Sequence, residues 1–406
     1  MRRKLRRIAD CGSNTYEFLH QVRSFVSSSS QFAVRSTIFR PPIPLSPHDP
    51  GPPAARIRAD SLSLDGRALV ETREGGSILV GIAAWTEPTL TAPGVFYPRE
   101  ARTAETRLRY YASRFPVVEV DSSYYALPTR QMAELWDERT PPDHVFNVKA
   151  HALMTGHPTE PARLPPFIRE MLPDEVAAAR RVYPRDLGAE VLDAVWRTFL
   201  DALVPLDDAG KLGVVLLQYP PWFVPTRESA AELRAARERM GDVLAAVEFR
   251  RGTWLSERLR DRTVALLRDL GMTYVMVDEP QGMKSSVPPI SAVTTPKLAI
   301  FRLHGRRHDT WEKPTTPVSE RYRYLYDRAQ LEQWIPEIVT ASHAVEHVHV
   351  IFNNCYGNYA TTNASEMAGM LRDALAQDYG MPGAVHDHLH SDPENGHGRR
   401  PYSPGS

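Results

Sequence analysis

Residues 117–121 read Val117-Val118-Glu119-Val120-Asp121, a short apolar run that ends on charge. Amphipathic stretches flank it, Thr103–Arg114 before and Arg130–Arg139 after. A strand between two helical patterns is the repeating unit of a parallel α/β fold. Working outward, seven further runs share this character: Ile78–Ile82, His144–Lys149, Val214–Gln218, Leu244–Glu248, Thr273–Asp278, Leu298–Arg302 and His347–Phe352. Helix-like stretches separate most of them: Glu190–Leu203, Arg227–Met240, Ser256–Leu270, Arg328–Ser342 and Ala364–Gln377. In Ser256–Leu270, for instance, Leu259, Val264, Leu267 and Leu270 recur at roughly helical spacing. The Pro-rich Gln281–Pro296 carries no helical pattern, so the sixth crossover is expected to be irregular. Eight strands joined mostly by helices over about 300 residues fit a TIM-like (β/α)8 barrel better than an open doubly wound sheet. The open sheet would normally place a Gly-rich phosphate turn after its first strand, and Gly81-Ile82-Ala83-Ala84-Trp85 is not one.

The chain of 406 residues is 42% hydrophobic, enough for a large core, and its 49 Lys and Arg balance its 49 Asp and Glu. A dedicated nucleic-acid binder or a polybasic membrane anchor shows a basic excess, so neither kind of partner is expected. No apolar run reaches ~18 residues, which argues against a membrane span. Cys11 and Cys355 suggest neither a disulfide framework nor a thiolate metal site, and a reduced, cytoplasmic setting is expected. The 35 prolines point to non-globular ends or a loop-rich domain. Residues 1–76 open with the basic Met1–Arg7, pass through Ser27–Ser30, and crowd seven prolines between Pro41 and Pro53. That composition predicts a disordered extension that adds nothing to the core. It fits an organelle transit peptide or a start assigned too far upstream. The barrel is expected to span 77–379, followed by a second disordered tail, 380–406. In that tail His386, His388 and His390 could hold a metal, but on a flexible segment they read as a solvated cluster.

Barrel chemistry sits at the C-terminal ends of the strands, and side chains alternate faces along a strand, so parity can be read from sequence. Glu119 and Asp121 share one face with Val117, and Asn147 and Lys149 share one with Val145. Likewise Glu248 and Arg250 share a face, Asp278 falls in phase with Tyr274 and Met276, and Arg302 and His304 fall in phase with Ile300. Gln218 closes the fourth strand, and Asn353 with Asn354 closes the eighth. Any one of these residues could be structural, since barrel strands emerge into polar loops. As a set they predict one mouth holding Glu119, Asp121, Glu248 and Asp278 against Lys149, Arg250 and Arg302, with His304 beside them. Burying so many charges in one cleft is costly unless function requires it.

The same residues carry a resemblance. Gly81–Trp85, Phe96-Tyr97-Pro98, Val118–Tyr125 and Phe146-Asn147-Val148-Lys149 open an ordered series of motifs. Leu217–Pro221, Val247-Glu248-Phe249-Arg250 with Trp254, Arg302-Leu303-His304-Gly305 and Phe352-Asn353-Asn354 complete it. Across residues 77 to 378 the chain resembles the DUF72 family of YecE-like proteins. The resemblance implies a TIM-like barrel and the place of its site, and no particular reaction. Asp121 stands where the family more often carries Asn, and Thr155–Arg185 is long and Pro-rich, a segment that could lid the site or decorate it.

Three chemistries remain open. In the first, a small-molecule enzyme uses Glu119 and Glu248 as acid/base carboxylates on a sugar-like, polyol or anionic substrate, provided that their surroundings separate their pKa values. Lys149, Arg250 and Arg302 could then hold an anion or developing oxyanion, while Trp85, Tyr124, Tyr125 and Trp254 could stack on a ring or simply pack. Lys149 could alternatively form a Schiff base. In the second, a metal-dependent phosphodiesterase or sugar isomerase, of the endonuclease IV or xylose isomerase kind, draws ligands from His304, Glu119, Glu248, Asp278, His151 and His349. Three cations in the mouth and the lack of an H-E-x-x-H motif weigh against it, so no metal or other cofactor is expected. The third is a non-catalytic binding barrel.

Overall fold

The computed structural model describes residues 67–72, 75–313 and 317–380. Eight parallel strands follow one another round a closed sheet: β2 (Ser77–Ala83), β3 (Val117–Val120), β4 (Val145–Lys149), β5 (Leu212–Gln218), β6 (Ala245–Glu248), β7 (Thr273–Asp278), β8 (Leu298–Leu303) and β9 (His347–Phe352). β9 pairs back onto β2 from Ser77↔His347 to Ile82↔Phe352, which closes the barrel. Cys11 and the histidines at 386, 388 and 390 lie outside the described residues.

The helices form where the apolar period places them, and several carry a sequence-encoded start. They are α1 (Ala104–Arg114), α2 (Arg130–Glu138), α3 (Ala189–Asp208), α4 (Arg227–Met240), α5 (Arg260–Asp269), α6 (Ile335–Ser342) and α7 (Tyr359–Gly380). Thr103, Thr129 and Thr226 each accept a hydrogen bond from a backbone N–H in the first turn, as N-caps do. Two stretches are shorter than expected. Ser256–Leu270 is helical only from Arg260, after a 3₁₀ turn at Gly252–Leu255. Arg328–Ser342 splits into Arg328–Glu332 and α6, with Pro336 in the first turn of the second piece. Proline lacks the N–H that a continuous helix would need there. The sixth crossover is irregular, as expected, and packs tightly: a Cβ on Gly252 would lie 2.1 Å from the Ser286 carbonyl oxygen. Among the described residues, no helix is long and apolar enough to cross a membrane.

One element was not expected. β1 (Leu69–Glu71) runs antiparallel to β2, pairing Leu69↔Leu79 and Glu71↔Ser77. β3 reaches only Gly81–Ala83 of β2, so β1 occupies the part of that edge which β3 leaves open. Ala68 and Val70 are buried, and Arg67 pairs with Asp143. The expectation that residues 1–76 add nothing to the core is therefore corrected for 67–72. A three-residue strand flanked by Arg-rich sequence leaves no readable period.

The interior is not wholly apolar. A polar pair low in the barrel joins His349 Nδ1 to Asn147 Oδ1 at 3.0 Å, and Gly213 makes room for it. A Cβ there would sit 2.7 Å from that Asn147 oxygen. Burial pushes His349 down to about 3, so the ring is neutral at pH 7. Outside the strands, Trp136 of α2 stacks on Phe146 of β4 with ring centroids 5.9 Å apart, typical of the packing between sheet and helices.

Candidate active site

The strand ends deliver charge to one mouth. Glu119 is the third residue of β3, Glu248 the last of β6, and Arg302 the fifth of β8. All three side chains are buried, and they touch: Arg302 gives Nη2 to Glu119 and Nη1 to Glu248. Arg250 continues the chain of alternating charge. Its Nε stands 2.7 Å from Glu248 Oε1, and its Nη1 donates to Glu279 Oε2 at 3.0 Å. Gln218 Nε2 donates to Glu248 Oε1 at 2.6 Å, and His304 Nε2 lies 3.2 Å from the same oxygen. On its other side the His304 Nδ1 faces Asn353 Nδ2 at 2.9 Å, which makes Nδ1 the acceptor and leaves the proton on Nε2, facing Glu248.

These contacts separate the carboxylates. Burial pushes Glu119 up to about 7, against Arg302 and with a further push from Asp121. Burial also works on Glu248, but Arg302 and Arg250 overcome it and hold that carboxyl well below the usual range. Glu279 rises by burial to about 7, against Arg250 and the Val287 N–H that donates to it at 2.7 Å. Burial, with Arg250 nearby, lowers His304 to about 3, so at pH 7 it is a neutral donor. Glu248 is thus a fixed anion, and Glu119 and Glu279 are carboxyls able to exchange a proton near neutrality.

A second tier surrounds this floor. Ser123 Oγ donates to the Lys149 carbonyl at 2.6 Å and fixes the Ser122–Tyr125 turn against the end of β4. Lys149 Nζ lies 3.4 Å from Asp121 Oδ1 and 4.9 Å above the Tyr124 ring. Tyr125 meets Tyr124 edge-on and is 49% exposed, as a rim residue would be. Thr155–Arg185 folds into short turns held by the reciprocal pair Thr159–Val182, and it brings His157 against Tyr124 and the exposed Trp222. Arg250 lies under the Trp311 ring at 5.2 Å, and Tyr322 packs edge-on to Trp311.

The description "Protein of unknown function DUF72" belongs to a family model that matches residues 79–384. The chain belongs to the DUF72 family. It is 31% identical over 297 residues to UPF0759 protein YunF of Bacillus subtilis strain 168, covering 72% of this chain and 94% of that protein. A solved DUF72 family protein from Thermotoga maritima MSB8 is 28% identical, with a TM-score of 0.57 over 72% of this chain and 98% of that one. Another, from Enterococcus faecalis V583, is 25% identical, with a TM-score of 0.57 over 72% and 95%.

Not every residue read from sequence reaches the mouth of this DUF72 barrel. Asp278 faces the helical layer, where Arg306 holds both its oxygens at 2.5–3.0 Å and Trp334 Nε1 donates to it at 2.6 Å. The mouth takes Glu279 in its place, because Val275 and Val277 pair with Ile300 and Arg302 on the inward face of β7, and the same period of two carried one residue past the strand reaches Glu279. Trp254 is fully buried, stacked between Phe223 and Phe249, with Nε1 donating to the Phe223 carbonyl at 2.7 Å. Asn354 is spent on Tyr324 O and Asn363 Oδ1, anchoring loop to helix. Trp85 stands edge-on to Trp136, on the helical side of the wall. The ligand set read for a metal does not assemble either. His349 bonds Asn147, His151 Nδ1 accepts from Leu153 N, and the glutamates hold Arg302. Among the described residues, no three His, Cys, Asp or Glu side chains are grouped to hold an ion. Sequence reasoning misses Glu279, His157, Trp222, Trp311 and Tyr322; of these, Glu279 leaves a signal, as the second member of an acidic pair at a strand end.

Proposed function

We propose that this DUF72 barrel is an enzyme that moves a proton on a small polar substrate, with Glu119 as the exchanging acid/base. One observation carries the reading: two buried carboxylates share a guanidinium, but among the described residues only Glu248 gathers further donors. Glu248 is saturated and serves as the anion that orients Arg302, Arg250 and Gln218. Glu119, held near 7, is populated in both protonation states at neutral pH, the condition under which a carboxyl both donates and accepts efficiently. Both Nη atoms of the fully buried Arg302 are engaged by glutamates, so it acts as a positioning group for Glu119. Lys149, Tyr124 and Tyr125 line the approach and suit a polyol, sugar-like or anionic compound. The class of reaction is proton transfer at carbon or oxygen, as in an isomerase, lyase or hydrolase.

Solvent exchange tests the transfer at carbon, whatever the product is. A panel of sugars, hydroxy acids and keto acids is incubated with the protein in D2O and followed by proton NMR. Exchange at one position with wild type, absent with Glu119→Gln, supports the role; exchange that survives in Glu119→Gln removes it.

A further inference from the structure

The floor of the mouth neutralises its own charges, but the tier above does not. Arg302 has a carboxylate at each Nη, whereas Arg250 uses Nε and Nη1 and has no partner for Nη2 among the described residues. Lys149, an ammonium with three donors, has one carboxylate at the loose distance of 3.4 Å. Both cations act on His157, which stands between the Tyr124 and Trp222 rings and whose Nδ1 is tied to Thr155 Oγ1 at 3.0 Å. One of these cations, Lys149, thus reaches the ring through Tyr124, and Arg250 lies within electrostatic range of it, both with spare donors under an aromatic wall.

We infer that the space bounded by Lys149, Arg250 and His157 is a subsite for an oxyanion, a carboxylate or phosphate carried by the substrate, with Tyr124 and Trp222 against its carbon skeleton. This rests on the proton-transfer reading and narrows it: the substrate is anionic, and its charged end lies at the rim while its reacting atom lies toward Glu119. Lys149 gives the charge-assisted hydrogen bond, and Arg250, braced by two glutamates, presents its free Nη2 in a fixed direction. His157 closes the third side of the subsite. Asp121 opposes the ligand, since it competes for Lys149 and repels a second anion.

Calorimetric titration of the full chain with glucuronate, inorganic phosphate and glucose tests the subsite. Glucuronate, phosphate or both should bind, and glucose should not. Glucuronate alone assigns a carboxylate-bearing substrate, phosphate alone a phosphate-bearing one. Lys149→Met should weaken binding about tenfold, as loss of one charge-assisted bond does. Asp121→Asn should tighten binding severalfold and steepen its fall with salt, a gain that damage to the fold cannot mimic. The inference is overturned if glucose binds as well as glucuronate, if neither anion binds at about 10 mM, a loose limit even for one charged contact, or if Asp121→Asn gains nothing. The titration and the exchange assay together keep the two readings apart. Anion binding without wild-type proton exchange sinks the enzyme and leaves the subsite, and exchange on neutral compounds without anion binding does the reverse.

Discussion

Glu119 and Glu248 meet at the guanidinium of Arg302 from strands three places apart in the barrel, one on β3 and the other on β6. Their shared cation does not make them equivalent. Glu248 gathers Arg250, Gln218 and His304 as well, whereas Glu119 leans on Arg302 and has the Asp121 charge nearby. Substitution of each by Gln should therefore have opposite consequences for stability.

For Glu119 the folded pKa, about 7, lies above the ~4.3 of an unfolded glutamate. The folded state then binds the extra proton between those values, so the group's contribution is fully present below ~4.3 and is lost as pH rises through 7. Glu119→Gln fixes the neutral form. Relative to wild type it should gain stability between pH 5 and 8, by at most about 3 kcal/mol at roughly 1.4 kcal/mol per pKa unit. Thermal midpoints of both proteins across that range decide the matter, because the difference cancels the other titrating groups. Parallel curves would return Glu119 to an ordinary ion pair.

Glu248→Gln should behave in the other sense. Its pKa is depressed, so its contribution is present above the unfolded value and lost only as the solution becomes strongly acidic. At pH 7 the substitution leaves Arg302 and Arg250 undercompensated, which costs roughly 3–5 kcal/mol for a buried pair. A fall of about 10 °C in Tm is expected for a domain of this size. Denaturant unfolding gives the free energy directly, and a loss under ~1 kcal/mol would mean that the network carries little.

How much of the barrel is legible in the chain follows from where periodicity holds. Thr273–Asp278 and His347–Phe352 match their strands to the residue because apolar alternation runs to their ends. Glu119, Glu248 and Arg302 fall on one face for the same reason. Asp278 is in phase with Tyr274 and Met276, but that phase is the outer face of β7. Val277 pairs with the inward Arg302, and one more step of the same alternation lands on Glu279, so sequence gives the period without saying which face is inward. A bulge between Phe146 and Asn147 likewise shifts the β4–β5 register in a way that no pattern announces. His157, Trp311 and Tyr322 come from irregular segments, and Trp254 shows that an aromatic near a motif is as readily core as platform.

Asp278 and Glu279 supply a paired control. Asp278→Asn weakens the Arg306 clamp and the Trp334 hydrogen bond, so it should lower Tm and leave the pH dependence of turnover unchanged in the folded protein. Glu279→Gln removes a group held near 7 beside Arg250 and should shift that pH dependence. Activity profiles at a temperature well below both midpoints separate the two. An altered profile in Asp278→Asn alone would reverse the assignment.

Two amino-terminal truncations test the boundary of the fold. Residues 1–66 combine Arg, Ser and Pro without an apolar period, and their removal should leave Tm within ~2 °C of the full chain. Removal of 1–76 deletes β1 as well. Ser77, Ile78 and Leu79 of β2 would then lose their antiparallel partners, at a stretch of edge that β3 does not cover. Ala68 and Val70 would be lost from the core, and Asp143 would be left without Arg67. Burying a single valine is worth roughly 1.5–3 kcal/mol, so the longer truncation should lower Tm by about 5 °C or more. Equal midpoints for the two truncations would show that β1 decorates the barrel without stabilising it. A drop already present on removing 1–66 would place part of that segment in the folded unit.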